Sequence, residues 1–60
     1  MKLQFETFNE LLDYTRKLTE QGYSVTQNVN LVTILEHPEF PPLYVDHHGY
    51  YRIITTDKLI

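Results

Sequence analysis

Three histidines, His37, His47 and His48, share the second half of the chain with Glu36, Glu39 and Asp46, and these are the side chains whose types suit a metal. Zinc needs three or four convergent ligands. His47 and His48 are adjacent in a turn and diverge, no second spaced pair completes a set, and the chain has no cysteine. The pattern predicts turn and surface histidines, with no metal and no cofactor. Nucleophilic catalysis has as little support, because Ser24 is the only serine and no histidine base is signalled for it. Paired carboxylates need a pocket to tune them, and so short a chain offers little concavity. The expectation is that the protein is not an enzyme.

The element that must position His47 and His48 is Leu43 to Ile54, LYVDHHGYYRII, which reads as two strands turning at His47-His48-Gly49. Side chains alternate along a strand, so a slip of one residue exchanges the faces. A two-residue loop at His48-Gly49 pairs Val45 with Arg52 and Asp46 with Tyr51, mixing charge with apolar groups on both faces. A three-residue loop with Gly49 in the left-handed conformation pairs Asp46 with Tyr50, Val45 with Tyr51, Tyr44 with Arg52 and Leu43 with Ile53. The second register predicts a core face of Leu43, Val45, Tyr51 and Ile53. Opposite it lies an amphipathic face of Tyr44, Asp46, Tyr50, Arg52 and Ile54.

Sixty residues make one domain, 1–60, with a thin core, since a chain of this size buries only about 60% of its unfolded surface. There are five Lys plus Arg against eight Asp plus Glu, a net charge of −3. Sequence-independent nucleic-acid binding needs clustered cations to displace counterions and is disfavoured. No apolar run approaches a membrane span and Met1-Lys2-Leu3 opens no signal-peptide core, so the expectation is a soluble, unprocessed, cytoplasmic chain.

From Phe5 onward, Phe8, Leu11, Leu12, Thr15, Leu18 and Thr19 recur at helical spacing, with polar residues between them. Thr7 and Glu10 fit a capping box, Gly22 ends the helix, and Asp13 and Lys17 form an i,i+4 pair. Tyr14 sits at the border of the stripe. After Gly22 the residues turn β-branched and aromatic, predicting strands at about Tyr23 to Gln27 and Leu31 to His37 around a turn at Asn28-Val29-Asn30, or one long bulged strand. His37-Pro38-Glu39-Phe40-Pro41-Pro42 is a loop, because three prolines remove backbone donors; Phe40 is expected to plug the end of the core. Leu59 and Ile60 are apolar enough to dock. The predicted fold is α+β: one N-terminal amphipathic helix on a three- or four-stranded antiparallel meander, with room for an extra short strand after the helix.

Leu31 to Leu35 is apolar on both parities, so the face away from the helix also needs a cover, and an exposed patch of that size implies association. A twofold dimer through the open face or an edge strand is expected. Tyr, Arg, Phe and Ile dominate interface energetics, which selects Tyr44, Tyr50, Arg52 and Ile54, with Phe40 and Tyr14 at the edge, as partner-binding residues. The expected function is a non-enzymatic, homodimeric protein-binding module. In size and acidity it resembles the small regulators and inhibitors of phages and mobile elements. The competing reading is a nucleic-acid or nucleotide platform on the sheet tyrosines. Against it, only Arg52 is basic there, and Tyr44 opposite Arg52 reads as a cation–π pair. Helix followed by three strands also resembles the first part of a double-stranded-RNA-binding domain, without the basic second helix.

Overall fold

The computed structural model describes residues 1–46 and 52–59, so His47, His48, Gly49, Tyr50, Tyr51 and Ile60 lie outside the described residues. In chain order the elements are β1 (Lys2–Gln4), α1 (Phe8–Glu20), β2 (Ser24–Val29), β3 (Val32–Glu36), β4 (Leu43–Asp46) and β5 (Ile53–Thr55). Among the described residues the five strands join one antiparallel sheet in the order β1-β5-β4-β3-β2. The α+β architecture, with one helix on an antiparallel meander, is the one the sequence predicts. The described sheet has five strands where three or four are expected, because a short strand precedes the helix and pairs with β5, so the helix is not the first element.

Helix α1 starts and stops where its side chains dictate. Thr7 is extended, and its hydroxyl accepts the Glu10 N–H at 3.2 Å, supplying a partner to a first-turn donor that no helical carbonyl can reach. At the other end Gly22 adopts φ +106, its N–H donates to the Thr19 carbonyl and the Tyr23 N–H to the Leu18 carbonyl. These are the two bonds of a Schellman motif, which fix the chain's exit toward β2. Leu11 and Leu18 are buried two turns apart, while Phe8 and Leu12 of the expected stripe remain exposed on the flank. Asp13 bonds Arg16 at 2.8 Å, three residues on, in place of the expected Lys17 pair.

The β2–β3 turn falls at Asn30-Leu31, with φ of 51° and 67°, sharing Asn30 with the predicted Asn28-Val29-Asn30 turn and extending one residue beyond it. Two residues at positive φ between paired strands give the turn whose twist matches a hairpin. Tyr23 to His37 is therefore two strands, and β2 additionally carries a bulge at Thr26, where the register shifts between Val25 and Gln27.

The β4–β5 register corrects the hairpin expectation. Tyr44 pairs with Thr55, Val45 with Ile54 and Asp46 with Ile53, three residues away from the predicted pairing. The cause lies in β1. The Phe5 N–H donates to the Arg52 carbonyl and the Arg52 Nε donates to the Phe5 carbonyl, both at 3.0 Å, so Arg52 is held at φ 42 as a clasp between β1 and the start of β5. With Arg52 outside the ladder, Ile54 replaces Ile53 on the core face. The core beneath α1 is Leu11, Leu18, Leu35, Leu43, Val45 and Ile54, flanked by Phe5, Tyr14 and Tyr23.

Candidate functional site

The sequence places its partner-binding residues on one sheet face, and the structure disperses them. Ile54 is 0% exposed, so its assignment to an exposed face is overturned by the register shift. Arg52 is the β1–β5 clasp and lies opposite Phe5 instead of Tyr44. Tyr44 is half-buried on the face away from the helix, in register between Ile34 and Thr55. Tyr50 lies outside the described residues. The apolar patch expected on that face is also smaller than predicted, because Val32 and Ile34 are only 8% and 9% exposed within the single chain.

Tyr14 and Phe40, the two residues assigned to the periphery, are brought together. Tyr14 is half-buried, its ring centroid 5.4 Å from that of Phe5. Phe40 does not plug the core end. It is 57% exposed, because the prolines on both sides of the loop carry it outward onto the His37 ring, with centroids 4.7 Å apart. His37 in turn lies 4.9 Å from the Tyr23 ring. Its Nδ1 accepts the Glu39 N–H at 3.0 Å, which leaves Nε2 to carry the proton and donate to the Gln21 carbonyl, also at 3.0 Å. A loop histidine thus binds the C-terminal end of α1 and orients the aromatic stack Tyr23, His37, Phe40. Beside this stack runs an apolar groove of about 300 Å³ lined in part by Tyr14, Leu18, Tyr23, Phe40, Pro41 and Leu43.

One border of the sheet is β2, which begins directly after the groove residue Tyr23 and which sequence reasoning treated as an ordinary strand. It is an edge strand, all six of its residues are exposed, and SVTQNV carries no charge. Its hydrogen-bonding phase follows from the opposite edge. The bonds from Phe5 N–H to Arg52 and from Thr56 N–H to Met1 mark alternate residues of the β1–β5 ladder. Alternation carried across the sheet directs the backbone of Gln27 and Val29 toward β3 and that of Val25 and Asn28 off the free edge. The bulge signal that puts Val25 and Asn28 in the same phase was legible only as two asparagines near a turn.

Leu31 is the other residue that sequence reading missed. It is 63% exposed, at the tip of the β2–β3 hairpin, in a left-handed conformation suited to glycine or asparagine. Among the described residues no three His, Asp or Glu side chains gather in a way that could hold a metal ion, and no helix is long and apolar enough to cross a membrane. No known protein family, curated protein or solved structure matches the chain.

Proposed function

We propose that this chain is a non-enzymatic protein-binding module that works as a homodimer, a small cytoplasmic regulator or inhibitor of a partner protein. The observation that carries the reading is the β2 edge: a full-length strand with free backbone donors and acceptors, no charge and exposed Val25 and Val29. Edges of this kind are normally blunted by charge, proline or brevity, as β1 is by its three residues and Lys2. An edge left open is a template for another strand. Phe40 and the groove beside it, and Phe8 with Leu12 on the flank of α1, supply apolar surface for recognising a second protein.

Sedimentation equilibrium over a range of concentrations tests the dimer, and a gel-shift at low salt tests the partner class. The expected results are a reversible monomer–dimer equilibrium and no shift of single- or double-stranded nucleic acid. A monomer at every concentration overturns the homodimer, and salt-sensitive nucleic-acid binding overturns protein recognition.

A further inference from the structure

The aromatic groove, the open edge and the strained leucine are separate features of one chain, and a single pairing joins them. We propose that two copies associate through β2, antiparallel about a twofold axis perpendicular to the sheet, each seating its Leu31 against the Tyr23–His37–Phe40 stack of the other. This rests on the homodimer reading above and specifies its contact.

The edge is self-complementary. Because the bulge packs Thr26 and Gln27 into the space of one residue, Val25 and Asn28 are spaced like alternate residues of a regular strand. In the antiparallel pair each Val25 then faces Asn28 of the other copy and exchanges both backbone hydrogen bonds with it, twice over by symmetry. Both side chains lie on the helix-bearing face, since Val25 pairs with Leu35 and Asn28 with Thr33, so the two helices stand on the same side of one continuous sheet. With no charge from Ser24 to Val29, no like charges meet.

That register has a second consequence. It sets Val29 opposite Ser24 and Asn30 opposite Tyr23 of the second copy, which brings Leu31 level with Gly22, the residue against which His37 packs. A leucine held in a left-handed turn costs stability and, at 63% exposure, recovers little of it within one chain. Backbone strain of this kind persists where a site uses it. Within one chain the turn lies at the end of the sheet away from the groove, and in the antiparallel pair it comes level with the end of the second copy where Tyr23 and Phe40 line that copy's groove.

The test is sedimentation equilibrium of the whole chain with Val25→Pro, which deletes an outward donor without removing a side-chain hydrogen bond, and with Leu31→Gly, which relieves the turn and removes the knob. Val25→Pro is expected to weaken dimerisation at least tenfold. Leu31→Gly is expected to weaken it several-fold while raising the thermal midpoint measured at concentrations where the chain is monomeric. Hydrogen exchange of the Val25 and Asn28 amides should slow as concentration rises. Should Val25→Pro lose its circular dichroism signal, Val25→Lys replaces it and is expected to weaken the dimer likewise. A dimer of unaltered strength in the folded Val25 variant overturns edge pairing while leaving the homodimer in place. Loss in Val25→Pro without loss in Leu31→Gly overturns the leucine seat, and a wild-type monomer overturns the homodimer itself.

Discussion

Replacing Ile54 with alanine is expected to cost about 2–5 kcal/mol of unfolding free energy, the range for truncating a fully buried branched side chain. Ile54 is 0% exposed and lies between Val45 and Leu3 in the sheet, beneath α1. For 60 residues the whole stability is about 3–9 kcal/mol at ordinary values per residue, so this one truncation removes a large share of it. Urea denaturation reads the effect as a lower midpoint at unchanged slope. The informative control is Ile53→Ala. Ile53 is half-buried on the opposite face beside Asp46, and its truncation should cost no more than about half as much. A three-residue hairpin loop would put Ile53 in the core and Ile54 outside, reversing the order of the two variants, so the pair measures the register itself.

Gly22→Ala is expected to cost about 2–4 kcal/mol, adding the strain of a side chain at positive φ to the loss of a hydrogen bond. Gly22 sits at φ +106, and a Cβ there would meet the His37 Nε2 at 2.9 Å. That atom cannot retreat at no cost. It donates to the Gln21 carbonyl at the end of α1, while the other ring nitrogen accepts from Glu39 and the ring itself lies between Tyr23 and Phe40. The double variant Gly22→Ala with His37→Ala separates the two causes. It should recover the crowding and retain the backbone strain, giving a midpoint that rises only part of the way toward that of His37→Ala alone. Full recovery would mean that the backbone conformation carries no strain.

The parts of this fold that were legible in the sequence are those decided by neighbours along the chain. The Thr7 cap, the Gly22 exit and the loop through Pro38, Pro41 and Pro42 all follow from local backbone chemistry, and all stand where the sequence puts them. The β4–β5 register was not local. It is set by Phe5 clasping Arg52 across most of the chain, and Lys2–Gln4 is too short a run to announce a strand by alternation. The site residues failed by the same route. One misplaced register sent Ile54 to the surface and Arg52 to Tyr44, while the residues that the structure leaves exposed, Leu31 and Val25, looked like interior strand. Leu31 is the sharper lesson, because turn chemistry argues for Asn30 and against leucine, and the chain places leucine there regardless.

The pairing of β1 with β5 has a consequence for how the molecule assembles as it is synthesised. The main-chain partners of Met1 and Phe5 are Thr56 and Arg52, so the earliest strand has no sheet to join until nearly all of the described chain exists. Helix α1 and the β2–β3 hairpin form from near neighbours and meet no such delay. β1 therefore has no strand partner until Ile53–Thr55 is available to it. The β1–β5 seam is the opposite margin of the sheet from the free β2 edge, and the near-neighbour contacts that pair β2 with β3 do not depend on it.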